Sequence, residues 1–250
     1  MKNRNLIECC ELTKNFGSKV ALDRVDLSIG RGKVVGLLGP NGSGKTTLIK
    51  LMNGLIRPTY GEVLIDGQHP GPHTKAIVSY LPDRTYFADW MTVKDILDMF
   101  SEFYEDFDRS KAENMCASMS INIRDRIKTM SKGTKEKVQL ILVMSRKAQL
   151  YLLDEPIAGV DPAARDYILT TIINNYNEEG TVIISTHLIS DIERILDEVV
   201  FIRDGKVVRH EAVDDIKEKE GKSIDDVFKD SFRMVPYAGV NGNDRKVDKI

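Results

Sequence analysis

The sequence lacks the features that would anchor it in a membrane or favour binding to a polyanion. Its longest unbroken apolar runs, such as residues 140–144, are about five residues long, whereas a membrane-spanning helix needs roughly 20. Lysine and arginine total 36 against 38 aspartates and glutamates, so the net charge is −2. Because there is no basic surplus to attract phosphates, we expect no nucleic-acid partner.

Cysteine is also scarce, and the first residues do not resemble a signal peptide. Cys9, Cys10 and Cys116 are odd in number, and no group of cysteines and histidines has the spacing of a zinc site. Reduced structural thiols are the favoured interpretation, and metal ligation is the weaker alternative. Residues 1–17 contain no apolar stretch followed by a small-residue cleavage site, so we expect a cytoplasmic protein and not a secreted one.

The sequence has the composition of a globular protein, and a pattern typical of buried strands recurs along it. With 250 residues, 42% of them hydrophobic, the chain can bury a core without disulfides or metals. Several short apolar segments, most bounded by glycine, proline or charged residues, predict strands buried on both faces of a sheet. Helix-like stretches follow several of them, which predicts an α/β fold with a mostly parallel central sheet. These segments are residues 33–38, 77–81, 149–153, 181–185 and 198–202.

Two other patterns lie around this sheet. Residues 7–12, 25–29 and 62–65 alternate polar and apolar side chains and predict half-exposed antiparallel strands. Residues 85–145, called here the helical insert, carry apolar side chains at helical spacing and contain no convincing buried strand. We therefore expect an antiparallel β subdomain and an inserted helical subdomain beside the parallel sheet.

The expected domain organisation is a main domain followed by an extension. The main domain spans residues 1–210, with a core formed by residues 1–84 and 146–210 around the helical insert. Residues 211–250 form a charged C-terminal extension, in which residues 214–230 have the pattern of a solvated helix face. Beyond Pro236 the chain has little to bury and is expected to be loose.

A glycine-rich segment, called here the phosphate loop, follows the first buried strand and precedes a helical pattern. It fits G-x-x-x-x-G-K-[ST] in the context that supports a phosphate-binding loop. Glycines let successive backbone N–H groups converge on anionic oxygens, and the helix N-terminus adds its dipole. Lys45 would contact the β- and γ-phosphates, and the Thr46 hydroxyl would ligate Mg²⁺. The weaker alternative is a glycine-rich turn that happens to contain lysine. The residues are Gly39, Pro40, Asn41, Gly42, Ser43, Gly44, Lys45, Thr46 and Thr47.

Two carboxylates, called here the acid pair, stand where another buried strand stops. Asp154 and Glu155 directly follow residues 150–153, and ligands of open α/β sheets lie at the C-terminal ends of the strands. Asp154 is placed to bind Mg²⁺, and Glu155 to take a proton from an attacking water. The alternative is a surface acidic pair that starts a loop before Pro156, which the phosphate loop upstream makes the weaker interpretation.

One histidine falls at the same predicted edge of the sheet. His187 follows residues 181–186, the end of another buried strand. A lone histidine at a strand end is more often structural than functional. The functional alternative is a γ-phosphate sensor, because a neutral imidazole can donate one N–H to a phosphate oxygen.

Together these residues resemble the ATP-binding subunits of ABC transporters, over residues 7–209. The family signature usually reads Leu-Ser-Gly-Gly-Gln. Here residues 130–134, called the signature segment, read Met-Ser-Lys-Gly-Thr, and Ser131 lies 23 residues before Asp154. Phe16 takes the place of the aromatic residue that stacks on adenine, and Asp161 that of the residue that signals across the dimer. A core phenylalanine and a helix N-cap are the structural alternatives for these two residues.

Two departures from the family pattern stand out. Asp83 replaces the usual glutamine, so an acceptor-only carboxylate stands where an amide is expected. The resemblance carries Asp83 over as a contact to Mg²⁺. Lys132 replaces a glycine of the signature and adds a cation close to the partner's nucleotide. Our hypothesis is that both changes accompany each other in a subgroup of bacterial drug or antimicrobial-peptide exporters.

The resemblance implies a P-loop NTPase fold of the ABC type and ATP hydrolysis coupled to transport, with ATP and Mg²⁺. Two ATP-binding subunits, identical or not, would sandwich ATP between the phosphate loop of one and Ser131 and Gly133 of the other. Integral membrane permease subunits would hold the protein on the inner face of the cell membrane. The alternative is a non-transport or regulatory ABC-type ATPase with weak hydrolysis.

Aromatic residues are concentrated where this family receives its membrane partner. Eight of the 17 aromatic side chains lie within residues 80–107. We interpret Tyr86, Phe87 and Trp90 as docking residues, because interfaces favour aromatic anchors. We interpret Phe100, Phe103 and Tyr104 as core residues of the helical insert, which needs apolar side chains of its own.

Overall fold

The computed structural model describes residues 5–232, apart from the side chain of Ala163. The strands are β1 (Asn5–Phe16), β2 (Lys19–Gly30), β3 (Val34–Leu38), β4 (Tyr60–Ile65), β5 (Val78–Leu81), β6 (Leu150–Asp154), β7 (Thr181–Thr186), β8 (Glu198–Arg203) and β9 (Lys206–Ala212). The helices are α1 (Lys45–Met52), α2 (Pro72–Ile77), α3 (Val93–Phe103), α4 (Arg109–Ser118), α5 (Lys132–Met144), α6 (Pro162–Asn175), α7 (Ile189–Ile192), α8 (Val213–Glu220) and α9 (Ile224–Phe232). None of these helices is both long enough and apolar enough to cross a bilayer.

The central sheet has the strand order β5-β6-β7-β3-β8-β9. The first five of these strands run parallel, and β9 pairs antiparallel with β8 at the edge. This confirms the α/β prediction and all five predicted buried strands. Strands β3, β6 and β7 are buried along their whole length, as expected when both faces of a parallel sheet are covered. Because these three strands are neighbours, the segments that follow them emerge side by side.

A second sheet contains the predicted antiparallel strands, in the order β2-β1-β4. Successive side chains of a strand point to opposite faces, so Cys9 is buried while Cys10 is exposed. All three cysteines, including Cys116, are free thiols. Cys9 and Cys116 pack in the hydrophobic core, as the interpretation as structural thiols predicts, whereas Cys10 does not.

The helical insert contains α3, α4 and α5, each started by a side-chain cap. Thr92, Asp108 and Ser131 accept a hydrogen bond from the backbone three residues on, which satisfies one of the free N–H groups of a helix start. The second half of α5 is buried from Val138 to Met144 and packs against β5 and α4. The exact domain bounds stay a prediction.

The core assignment of Phe103 is wrong. Its side chain is 73% exposed, whereas Phe100 is buried. The reason is that α3 ends at this residue, and the chain returns Tyr104 and Phe107 against Phe100, with ring centroids 5.4 and 5.6 Å away. Those two rings are partly buried against the main core, whereas the ring of Phe103 is not. Among the predicted docking residues, Tyr86 and Trp90 are exposed, and Phe87 is partly buried against the main core.

The C-terminal extension is more than a solvated helix. Helices α8 and α9 bury four apolar side chains in the main core, and α9 packs against α7. Charged residues dominate the composition of this stretch and conceal an apolar stripe at helical spacing. The end of the chain predicted to be loose lies outside the described residues. The four side chains are those of Val213, Ile216, Ile224 and Val227.

Candidate active site

The phosphate loop connects β3 to α1 and depends on its glycines. Gly42 and Gly44 have φ values of +82° and +116°, in the left-handed region that favours glycine. A Cβ on Gly44 would lie 2.8 Å from the Ala21 carbonyl oxygen, and one on Gly39 would overlap the carbonyl oxygen of Ile202. This backbone directs consecutive N–H groups toward one place, which makes an anion-binding concavity at the start of a helix.

Lys45, the first residue of α1, lies inside this loop. Its side chain is only 5% exposed. The ammonium group donates to the carbonyl oxygens of Gly39 at 2.8 Å and Pro40 at 3.3 Å, and lies 3.4 Å from a carboxylate oxygen of Glu155. The Lys45 ammonium therefore lies between the phosphate loop and the acid pair. Phosphate oxygens of a bound ligand can replace its present carbonyl and carboxylate partners.

Asp154 ends β6 and is buried. One of its oxygens, Oδ1, accepts hydrogen bonds from the hydroxyls of Thr46 at 3.1 Å and Ser185 at 2.6 Å. Burial raises the pKa of Asp154, and these two hydrogen bonds oppose that change. The other oxygen, Oδ2, is buried and has no hydrogen-bond partner among residues 5–232.

These residues fit a divalent cation. An unpartnered, buried carboxylate oxygen beside a hydroxyl is the oxygen donor set that Mg²⁺ prefers, with phosphates and water completing the shell. In the described part of the chain, no group of three or more His, Cys, Asp or Glu side chains could hold a metal by itself. A cation would therefore have to share Thr46 and Asp154 with a phosphate-bearing ligand.

Glu155 adopts a backbone conformation that is rare outside glycine. Its φ is +51°, and such conformations cluster at functional sites. The backbone N–H donates to the Ser185 carbonyl at 3.1 Å and to the Ser185 hydroxyl at 3.0 Å. The carboxylate faces His187, with 3.1 Å between Oε2 and Nδ1. Glu155 and His187 are thus in contact although they come from different strand ends.

One cleft of about 1260 Å³ collects most of the predicted site residues. The phosphate-loop residues Gly39, Pro40 and Ser43 are the exceptions: the first two supply carbonyls to Lys45, and Ser43 is buried beneath the loop. The lining residues are Phe16, Asn41, Gly42, Gly44, Lys45, Thr46, Thr47, Asp83, Ser131, Gly133, Asp154, Glu155, Asp161 and His187.

The signature segment borders the same cleft as the phosphate loop in this single chain. The resemblance to ABC ATP-binding subunits implies that these two segments do not meet within one chain. They face the same cleft because α5 starts at Ser131 and packs against β5, and β5 pairs with β6, the strand that leads into the acid pair. Ser131 also bonds the Thr134 hydroxyl at 2.8 Å, beyond its role as a helix cap.

Phe16 and Asp161 both line the cleft, but only Asp161 also has its alternative structural role. Phe16 is 52% exposed at the cleft, so it is not a core residue, and the ammonium of Lys14 lies 5.1 Å from its ring centre. Asp161 does cap α6, because its carboxylate accepts a hydrogen bond from the Ala164 N–H at 3.1 Å. It also lines the cleft, so the capping role does not exclude a second one.

Sequence reasoning missed two buried polar residues of the site. Ser185 lies in a predicted buried strand, and nothing in its neighbours along the chain points to Asp154. Gln139 is 2% exposed and lines the cleft, and its amide donates to the carbonyl of Pro82 at 3.1 Å, next to Asp83. Their only signal is a polar side chain within an apolar segment, which is weak without the strand order.

Comparison with known proteins decides the family. Residues 22–158 match the family described as ABC transporter. The chain belongs to the ABC transporter family. YtrB, an ABC transporter ATP-binding protein of Bacillus subtilis (strain 168), is 31% identical over 217 residues, which cover 86% of this chain and 74% of YtrB.

A second curated relative and a solved structure support the same family assignment. The SkfA peptide export ATP-binding protein SkfE of the same organism is 28% identical over 210 residues, covering 82% of this chain and 88% of SkfE. A solved structure of the ATP-binding subunit of an ABC transporter is 27% identical, with a TM-score of 0.78 over 90% of this chain and 98% of that one. The chain is an ATP-hydrolysing subunit of an ABC transporter, which confirms the predicted family, fold and enzymatic class.

Proposed function

We propose that this chain powers export: it hydrolyses ATP between two ATP-binding subunits and drives separate integral membrane permease subunits. One observation carries the chemical part of the proposal. The buried Asp154, with one oxygen paired to Thr46 and the other unpartnered, lies next to Glu155, which faces both Lys45 and His187. Phosphate binding, cation binding and proton transfer thereby meet at one sheet edge.

The proposed nucleotide contacts come from both subunits. The backbone N–H groups of residues 39–47 and the Lys45 ammonium hold the phosphates, and Phe16 presents an exposed ring on which adenine can stack. Ser131 and Gly133 contact the nucleotide of the partner subunit, and Asp161 transmits its state across the interface. The support for the last three is the family resemblance, and all three residues are exposed, as a contact with a partner subunit requires.

Thr46 and Asp154 would hold Mg²⁺, with Asp83 as a further carboxylate of the cleft. Bound Mg²⁺ supplies neutralisation of the charge that develops on the β- and γ-phosphates. Asp83 is 43% exposed and its carboxylate lies 4.0 Å from the Arg84 guanidinium, which offsets part of its negative charge. The acceptor-only Asp83 cannot donate to a water or phosphate as an amide could.

Glu155 is the proposed general base. It accepts a proton from the water whose oxygen attacks the γ-phosphorus, while the bond from that phosphorus to the oxygen of ADP breaks. His187 steadies the γ-phosphate. A neutral imidazole has one N–H, so while Nδ1 donates to Glu155, Nε2 cannot donate to phosphate. The ring must therefore release Glu155 before it can donate its one N–H to the phosphate.

Glu155→Gln tests this assignment, because the amide keeps the shape but cannot accept a proton as a carboxylate does. We expect kcat to fall by roughly 100-fold or more, while ATP binding persists and ATP-bound dimers accumulate in light scattering. Glu179→Gln, on an exposed loop before β7, is the matched control and should hydrolyse ATP normally. Wild-type turnover in Glu155→Gln would refute the base assignment.

The membrane partner is proposed to dock on an aromatic patch formed by Tyr86, Phe87 and Trp90. Tyr86 is 53% and Trp90 72% exposed, and the Tyr86 and Phe87 ring centres lie 4.8 Å apart. Large exposed aromatic side chains are typical interface anchors. The similarity to SkfE, an ATP-binding protein of SkfA peptide export, supports export as the direction and a peptide as a substrate class to test first.

Trp90→Ala and Tyr86→Ala, made in the full chain, test the docking patch. We expect each to reduce co-purification with the membrane subunits and to leave ATP binding unchanged. That result would support a peripheral location on the membrane through those subunits. Tyr60→Ala removes a 70% exposed aromatic ring on β4 and is the control. Full co-purification of the double variant would contradict the proposed patch.

A further inference from the structure

Ser185 is the one side chain that bonds both members of the acid pair in the described structure. It is fully buried in β7 and pairs across the sheet with Asp154 of β6. Its Oγ lies 2.6 Å from Oδ1 of Asp154 and 3.0 Å from the backbone nitrogen of Glu155. No proposed catalytic step uses this residue.

The directions of these two hydrogen bonds follow from donor and acceptor counts. A backbone N–H can only donate, so the Ser185 oxygen accepts from Glu155. An ionised carboxylate can only accept, so the single hydroxyl hydrogen of Ser185 goes to Asp154. The hydroxyl therefore has one defined orientation, and it links the two carboxylate residues through a single buried atom.

This link determines which oxygen of Asp154 is free. Oδ1 is engaged by the hydroxyls of Thr46 and Ser185, whereas Oδ2 has no partner within residues 5–232. Two donors on one oxygen oppose rotation of the carboxylate. Partners outside the ligand shell that orient a ligating group commonly affect metal affinity or activity 10- to 100-fold.

The same hydroxyl helps to hold the unusual backbone of Glu155. A non-glycine residue with φ of +51° carries a cost of about 1–3 kcal/mol and persists only where neighbours enforce it. The Glu155 N–H is shared between the carbonyl and the hydroxyl of Ser185. With the backbone anchored there, the carboxylate reaches His187 on one side and Lys45 on the other.

We propose that Ser185 is a positioning residue for ATP hydrolysis, which orients Asp154 toward the cation and Glu155 toward the attacking water. The inference rests on the roles proposed above for the acid pair. It extends them to a fully buried residue that does not line the cleft and acts only through the two hydrogen bonds of its hydroxyl. Its loss should weaken cation binding and turnover without removing the nucleotide contacts.

The test compares Ser185→Ala with Ser185→Thr, which keeps the hydroxyl, and with Ser79→Ala. Ser79 is a buried serine of the neighbouring part of the same sheet, and its hydroxyl donates to the Val143 carbonyl at 3.0 Å, away from the acid pair. Two quantities are measured on the full chain. One is ATPase rate against Mg²⁺ concentration, and the other is Mn²⁺ binding in the presence of ATP by electron paramagnetic resonance.

For Ser185→Ala we expect about 10-fold weaker Mn²⁺ binding and a kcat lowered by roughly 10- to 100-fold. ATP binding without divalent cation should stay within about twofold, since the phosphate loop is untouched. Ser185→Thr should recover most of the cation affinity. Ser79→Ala should match the wild type in both quantities, even if its melting temperature falls.

Wild-type cation affinity and kcat in Ser185→Ala would overturn the proposal, as would equal losses in Ser79→Ala. If melting curves show that Ser185→Thr does not fold, the comparison of the two alanine variants decides alone. The result is separable from the proposed function. An inactive Glu155→Gln with a normal Ser185→Ala refutes only the role of Ser185, whereas a fully active Glu155→Gln refutes the assignment of the acid pair itself.

Discussion

At the scale of single residues, burial gives the three cysteine thiols different reactivities. Burial raises the pKa of the Cys9 thiol to about 12, with the neighbouring Cys10 and Asp26 adding to the effect. It raises that of Cys116 to about 11. Because the thiolate is the reactive form, a raised pKa keeps both thiols protonated and inert at neutral pH. Cys10 is exposed on the opposite face of β1.

Alkylation should therefore distinguish them. With iodoacetamide at about pH 8, near the ordinary thiol pKa, we expect the folded protein to be modified at Cys10 alone. Cys9 and Cys116 should react only after unfolding in guanidinium, which restores ordinary thiol pKa values and access. Peptide mass spectrometry measures all three. Equal labelling of Cys9 and Cys10 in the folded protein would show that β1 does not bury Cys9.

At the scale of elements, Arg146 ties the helical insert to the central sheet. Its guanidinium, 2% exposed, pairs with Asp106 at 2.9 Å and donates to the carbonyls of Val78 and Ala76 at 2.6 Å each. The ring of Tyr104 lies 3.8 Å from the guanidinium carbon. One side chain thus joins the α3–α4 loop to β5, which leads to Asp83 and the cleft.

Removing this side chain should destabilise the whole chain. Breaking a buried, hydrogen-bonded ion pair leaves an unpaired charge and typically costs about 3–5 kcal/mol. We expect Arg146→Ala to lower the free energy of unfolding by that order in urea titrations. Arg194→Ala removes an exposed pair with Asp166 and should cost at most about 1 kcal/mol. Similar losses in both variants would contradict the buried link.

At the scale of the whole molecule, the C-terminal helices complete the core on the side of β8. Phe201 of β8 meets Phe228 edge to face, with ring centres 5.4 Å apart, and Phe228 stacks on Phe232 at 4.1 Å. Helix α9 also packs against α7, which follows His187. The extension therefore packs against the helix that follows His187, one of the proposed site residues.

The buried stripe of α9 can be tested through Ile224, which is fully buried. Ile224→Ala leaves a cavity, so we expect a loss of about 2–5 kcal/mol in unfolding free energy. Leu55→Ala, at a 53% exposed position, removes a side chain of similar size and should cost far less. The measurement is the urea midpoint of each variant. A wild-type midpoint for Ile224→Ala would indicate that the extension is not part of the core.

Much of the fold followed from local patterns. The five buried strands and three antiparallel strands were predictable because side-chain alternation and apolar runs reflect strand burial directly. The exposure of Phe103 and the burial of the C-terminal helices were not predictable from local patterns, for two different reasons. The spacing of Phe103 matches the core face, but the end of α3 removes it from that face. Charged neighbours conceal the apolar stripe of α8 and α9, since composition averages over both faces of a helix.

The sequence by itself predicted the phosphate loop and the acid pair, because each consists of residues adjacent in the chain, and it predicted the family from the order and spacing of several such short motifs. Only the tertiary structure decided which strand ends meet. The parallel pairing of β6 with β7 brings Ser185 to Asp154 and His187 to Glu155. The placement of β3 beside β7 departs from the order along the chain and brings Thr46 of the phosphate loop to Asp154. Strand order results from the packing of distant segments, and no local pattern records it.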